Sequence, residues 1–292
     1  MTLLCIILFF VIYITLLCIN KLISDGKLLT LQKTSNSMST NIADFFLPSN
    51  SVYDITEKDY MKVDVLLNAV KAFARSTYKS VYIIDYFRKN FLYASDSLAY
   101  ICGEDKDKIL EYGYDIYIKK VPEEDQKMLV EINAAGFKFF NNLPIEERTE
   151  YTISYDFHLI NGGKKRLYNH CLTPMLMTED GRMWLALCTF SPSARKKTGY
   201  VRMQKNGDRE YHEYNLTKHK WEKKQCAQLS DNEREVLLMS SQGYTMNEIS
   251  DRLCKSLDSI KSYKRSLFSK LGVTNIAEAL SYASNYRLFD VR

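Results

Sequence analysis

The chain has 292 residues, 46% of them apolar, with 11 glycines, 5 prolines and a net charge of +5. That length suits about two domains, and the apolar content excludes a disordered or collagen-like chain. Its 7 cysteines are scattered without a close pair of zinc-ligand spacing, which leaves them as reduced core thiols.

Residues 1–19 are almost wholly apolar, broken mainly by Thr2 and Thr15. A stretch of about 20 such residues is just long enough to cross a bilayer. Lys21, Lys27 and Lys33 follow it, and positive charge stays on the cytoplasmic side, so the rest of the chain is expected in the cytoplasm, tethered to the inner membrane through residues 1–20. The competing reading starts translation at Met38 or Met61, and the two are balanced. Residues 21–60 read as a polar linker.

From residue 61 the pattern is globular. Val65, Leu66, Val70 and Phe73 recur at helical spacing and predict a helix over 64–76. Strand-like runs follow at 80–86 and 90–95, then a helical stretch from Asp96, with breaks at Gly103 and Gly113. Pro122, Glu123, Glu124 and Asp125 open a helix expected to reach Asn141, because proline and acids suit a first turn. Strands are expected at 149–160, 165–177 and 183–191, joined by turns at Asn161-Gly162-Gly163 and Glu179-Asp180-Gly181. Cys171 and Cys188 fall in adjacent strands of this meander. The 21 tyrosines, concentrated outside the C-terminal stretch, also favour a sheet.

Two strands, several short helices and a three-stranded meander resemble the element order of a PAS domain, over roughly residues 78–192 within a domain placed at 61–194. The resemblance implies a five-stranded antiparallel sheet with flanking helices, serving as a sensory or dimerisation module. Residues 195–225 are a basic connector, with ten basic and four acidic residues over 195–224. A hairpin is expected there from 200–204 and 209–215 around Lys205-Asn206-Gly207-Asp208, and Trp221 is expected to anchor the connector.

The C-terminal stretch carries four helix starts. Ser230 with Glu233, Thr245 with Glu248 and Asn275 with Glu278 have the spacing of a reciprocal cap, and Ser256 precedes Asp258. Gly243 and Gly272 mark helix ends. The helix at 257–271 places Ile260, Leu267 and Leu271 on one face, flanked by Tyr263 and Phe268. Lys261, Ser262, Arg265, Ser266 and Ser269 lie on the other. A helix seated in a DNA groove needs that division: one side packs on its own domain, the other offers donors to bases and phosphates. Five of the basic residues, Lys255, Lys261, Lys264, Arg265 and Lys270, lie in or beside this helix, opposed there only by Asp258.

Residues 229–283 resemble the LuxR/FixJ-type DNA-binding domain. The similarity is carried by the opening Leu229-Ser230-Asp231-Asn232-Glu233-Arg234-Glu235-Val236-Leu237, by Gly243 and Asn247-Glu248-Ile249, by Lys270-Leu271-Gly272-Val273 with Asn275, and by Glu278-Ala279. Tyr263, where the family usually has His, and Cys254 depart from the pattern. The resemblance implies that Lys261, Ser262 and Arg265 face bases and that Lys264 and Thr245 lie near phosphates. Tyr263, Ser259 and Lys270 complete the candidate DNA-binding set. It further implies a dimerisation helix over 275–283 that uses Ile276, Ala279, Leu280 and Ala283, within a domain spanning 226–292.

Enzymatic signatures are missing: there is no phosphate-binding glycine loop, no supported Ser-His-Asp arrangement and no phosphoacceptor receiver pattern. His158 and His170 sit in paired strands and read as satisfied strand histidines before metal or haem ligands. No metal or cofactor is expected, and a ligand of the PAS-like domain is not identified. The expected fold is α+β, a PAS-like domain followed by an all-α, four-helix LuxR-type domain. The expected function is sequence-specific binding of double-stranded DNA by a homodimeric, non-enzymatic transcriptional regulator, with RNA polymerase as a further candidate partner. The competing reading is a membrane-associated PAS interaction module whose helical domain binds protein.

Overall fold

A computed structural model describes residues 40–286 and residue 288. The candidate membrane span at 1–20 and the linker as far as residue 39 lie outside the described residues. Among the described residues no helix is long and apolar enough to cross a membrane.

The first long helix, α1, covers Glu57–Ser76 and so starts earlier than expected. The Asp59 carboxylate accepts both the N–H and the hydroxyl of Thr56, at 3.0 and 2.6 Å, which fixes the residue that precedes the first turn. The charged residues over 57–64 mask this start in the sequence. Strands β1 (Ser80–Asp85) and β2 (Asn90–Ala94) form a hairpin, followed by short helices α2 (Asp96–Cys102), α3 (Lys106–Tyr112) and α4 (Asp115–Lys120). Helix α5 runs Glu123–Asn141, as Pro122 and its acids predict. One of those acids, Asp125, is buried and accepts the backbone N–H and ring Nδ1 of His158, both at 2.8 Å.

Strands β3 (Tyr151–Asn161), β4 (Lys164–Met177) and β5 (Met183–Pro192) form the expected meander. β5 then pairs antiparallel with β1, so the five strands lie in the order β2-β1-β5-β4-β3. All six residues of β1 are buried, because it lies inside the sheet. The PAS-like element order is therefore present as one continuous run of antiparallel pairings.

The sheet does not stop there. β6 (Gly199–Lys205) pairs with β3, β7 (Glu210–Asn215) with β6, and β8 (Lys220–Gln225) with β7, giving eight strands. The basic run read as a connector is thus folded into the same sheet. Trp221 on β8 packs on Phe139 of α5 and on Tyr214, with ring centroids 5.0 and 5.1 Å apart. Lys218, Lys220 and Lys224 surround Glu222, and Lys223 pairs with Glu210, so much of the excess charge here is met locally.

Four helices complete the chain: α6 (Asp231–Ser241), α7 (Met246–Leu253), α8 (Leu257–Leu271) and α9 (Ile276–Asn285).

Candidate nucleic-acid interface

Local caps position the four C-terminal helices. Ser230 Oγ accepts the Glu233 N–H while Glu233 Oε2 accepts the Ser230 N–H at 2.7 Å, and Thr245 with Glu248 repeats the exchange. Ser256 Oγ accepts the Ser259 N–H at 3.1 Å to start α8. At α9, Asn275 Oδ1 accepts the Glu278 N–H, but Glu278 reaches Thr274 and not Asn275, accepting its N–H at 2.7 Å. Gly272 closes α8 in the left-handed region, with φ 64°, where a β-carbon would be strained.

Helix α8 is clamped on two sides. Ile260 joins Val236 and Ile249 in one cluster, and Tyr263 packs against it. Leu267 and Leu271 join Leu237, Ala279, Ala283 and Ala194 in a second, with Phe268 against it. What stays outside is the polar face: Lys261, Ser262, Arg265 and Ser269 are exposed. A helix fixed by its own core and bare on its polar face can enter a groove without rearranging.

The candidate residues occupy different situations. Arg265 and Ser262 have no ion-pair or hydrogen-bond partner among the described residues, and their donors are free for a ligand. Lys261 reaches only the exposed Asp258, at 3.2 Å, a pair that water screens. Lys264 is half-buried, its ammonium 5.8 Å from the Phe268 ring. Ser259 is half-buried beside the Ser256 cap, and Thr245 spends its hydroxyl on Glu248 at 2.7 Å. Tyr263 is half-buried against the α6–α7 cluster, as its place beside the apolar face of the helix predicts.

Lys270 pairs at 2.6 Å with Glu233, whose side chain is only 4% exposed. Burial pushes the Glu233 carboxyl up, but Lys270, Ser266 and the Ser230 N–H outweigh it and hold it below the usual range. Asp258 is therefore not the only acid opposing the basic helix: Glu233 engages Lys270 from α6.

Of the residues assigned to dimerisation, Ala279 and Ala283 are fully buried in the second cluster, where their small size lets α9 pack closely within its own domain. Ile276 and Leu280 are half-buried against the same cluster. The outer side of α9 meets the sheet. Ser191 Oγ lies 2.8 Å from Asn285 Oδ1, Ser281 Oγ donates to the Pro192 carbonyl, and Tyr78 contacts Ser284 through their hydroxyls. Arg195 lies over the rings of Tyr200 and Tyr282, at 4.5 and 4.9 Å, and Arg202 over Tyr211 and Tyr286, at 4.0 and 4.7 Å. Beneath them Asp156 is 1% exposed. Its Oδ1 accepts from Asn169 at 3.1 Å; the Ser193 hydroxyl lies near, but Oδ2 has no well-aligned donor. Burial raises this carboxyl to about 6.

Comparison with known proteins fits this geometry. Residues 227–283 match the family described as bacterial regulatory proteins, luxR family. They form a LuxR-type helix-turn-helix domain. The LuxR-type domain is similar to the transcriptional activator protein BglJ of Escherichia coli K12, 38% identical over 63 residues, or 22% of this chain and 28% of BglJ. It is also similar to the transcriptional regulatory protein RcsB of the same strain, 40% identical over 60 residues, or 20% of this chain and 28% of RcsB. The chain thus spans 28% of the length of these curated relatives. Among solved structures, a phage VqmA–DPO complex is 17% identical with a TM-score of 0.26, covering 78% of this chain and 91% of that one. A Vibrio cholera VqmA–ligand–DNA complex is 13% identical with a TM-score of 0.26, covering 77% and 89%. The PAS domain of a Colwellia psychrerythraea protein is 15% identical with a TM-score of 0.33, covering 44% and 97%.

The half preceding the LuxR-type domain has a polar core of its own. The Tyr82 hydroxyl lies 2.5 Å from that of Tyr117 and 2.7 Å from His170 Nε2. Burial alone drives the His170 ring down to about 3, so it is neutral at physiological pH. A small cavity of about 40 Å³ in this half is lined by Tyr86, Phe137, Tyr155 and Met203 among others. Small-molecule sites are ordinarily several-fold larger than this cavity.

Proposed function

We propose that this chain is a sequence-specific DNA-binding regulator of transcription, acting as a homodimer, with α8 entering the major groove of double-stranded DNA. One observation carries the reading: α8 presents Lys261, Ser262 and Arg265 bare on one face while its other faces are locked into two clusters of a LuxR-type domain. In this reading Arg265 and Lys261 meet base edges, Ser262 allows close approach, and Lys264, Thr245 and Ser259 lie toward the backbone phosphates. Lys270 and Tyr263 act by holding α8 on α6 and α7. The PAS-like half adjusts DNA binding through the seam with α9, since that seam joins the sheet to the helix that supports α8.

The test is selection of bound sequences from random double-stranded DNA, repeated at two salt concentrations. An enriched, near-palindromic site with half-sites about one helical turn apart supports the reading. Uniform binding, or none, refutes it and returns weight to a protein-binding role for the helical domain.

A further inference from the structure

Helix α1 carries more exposed hydrocarbon than a surface helix needs. Val63 and Val70 are buried and Leu67 and Ala74 half-buried, and these fix the side that packs on the sheet. On the solvent side Met61 is 73% exposed, Val65 74%, Phe73 46% and Leu66 38%. Ala69 and Ala72 lie between them and are also exposed, so the face is apolar and low midway along the helix, while the exposed Lys58 and Lys62 share it toward the N-terminus. Single exposed apolar residues are ordinary, but several grouped on one side of a helix mark a contact surface.

Charge along one flank of that face indicates what covers it. At helical spacing Glu57, Asp64, Asn68, Lys71 and Arg75 form a row, acidic toward the N-terminus, neutral in the middle and basic toward the C-terminus. Among the described residues Asp64, Lys71 and Arg75 have no ion-pair partner, and Glu57 meets only Arg88 while remaining largely exposed. Within one helix Asp64 and Lys71 are about two turns apart, too far to pair with each other.

A row of this polarity complements itself when reversed. We infer that α1 pairs antiparallel with α1 of a second copy of this chain. A two-fold axis perpendicular to both helices keeps the same flank of each on the same side, as closed dimers require. With the axis near Leu66 and Leu67, Met61 meets the second copy's Phe73, Val65 meets Ala69, Asp64 meets Lys71 and Glu57 meets Arg75. Apolar residues then face apolar residues through the middle, and each acid faces a base. A parallel pair in register would set Asp64 beside Asp64 and Lys71 beside Lys71. The interface rests on the homodimeric reading above and names the surface that makes the dimer.

The experiment is sedimentation velocity on the full chain without DNA, comparing wild type, Asp64→Lys, Lys71→Asp, Val65→Lys and an equimolar mixture of the first two variants. All three sites are exposed, and circular dichroism checks that each variant is folded. Each single variant is expected to weaken dimerisation at least about tenfold, because like charges or a buried lysine then face each other twice per dimer. The mixture is expected to recover the dimer. In each mixed pair the lysine introduced at position 64 meets the aspartate introduced at position 71, and the unchanged Lys71 of one copy meets the unchanged Asp64 of the other. A monomeric wild type overturns the inference, as does a dimer unmoved by the variants or a mixture that stays dissociated. Electrophoretic shift on random DNA is run beside it. A wild type that dimerises through α1 yet binds no DNA refutes the regulator reading alone; one that binds DNA but ignores these variants refutes the interface alone.

Discussion

Replacing Asp156 with Asn tests the account of the seam between the sheet and α9. Asp156 is 1% exposed, with one hydrogen bond to Asn169 and one oxygen poorly served. Burial raises its carboxyl from 3.8 to about 6, against the opposing pull of Asn169, Ser193 and Arg195. A group bound more tightly to its proton when folded makes the folded state less stable as pH rises through that window. The cost is complete above pH 6, shrinks between 6 and 3.8 and is absent below, where both states are neutral. Two pH units correspond to about 3 kcal/mol at most. Asp156→Asn removes the charge and keeps the shape, so it should stabilise the protein at pH 7.5 by up to about 3 kcal/mol, or roughly 6–10 °C in melting temperature for a unit of this size. Near pH 4 the variant and wild type should melt together. Differential scanning calorimetry across that range reads both. Parallel profiles, or a variant less stable at pH 7.5, would show that Arg195 and Ser193 satisfy the carboxylate fully and that the burial argument is wrong.

The remaining expectations concern the helices and the added strands. Arg265→Ala should cost about 1–3 kcal/mol on a selected site and little on random DNA, measured by competition binding; equal losses would make Arg265 a phosphate contact. Lys270→Ala leaves the nearly buried Glu233 without its cation. It should lower unfolding free energy by about 1–3 kcal/mol in denaturant titration while leaving the preferred DNA sequence unchanged. Trp221→Ala removes the anchor of β8 on α5 and should cost about 2 kcal/mol, since the ring is only partly buried. Hydrogen exchange should then accelerate in β7 and β8 before it does in β3 and β4, and uniform acceleration would mean that the hairpin folds with the whole sheet.

Much of the candidate site is legible in the sequence because its signals are local. Ser230, Thr245, Ser256 and Asn275 each cap a helix within a few residues, and α8 spans the expected 257–271. Contacts between distant segments are harder to see. The pairing of Lys270 with Glu233 depends on α8 crossing α6, and nothing in the neighbourhood of either residue announces it. β8 is hidden because Lys220–Gln225 is an edge strand in which lysines replace the usual alternation, a composition that also discourages stray pairing with other chains. Its one apolar signal, Trp221, predicts an anchor without predicting a strand. The joining of β6 to β3 makes five strands into eight, and only the register of Tyr151 with Lys205 and its neighbours reveals it.

The seam along α9 has a thermodynamic consequence. Its members are chiefly guanidinium groups, phenol rings, serine hydroxyls and a carboxamide, with Ala194 contributing a single methyl to the cluster beneath. Water can replace the hydrogen bonds of this set when they part, but not the contacts of its rings. Separation of the two halves would expose the ring faces of Tyr282 and Tyr286, and should carry a positive heat-capacity change smaller than the one that accompanies melting of either core. The energy that holds the two halves together is thus set by aromatic burial and polar exchange in combination.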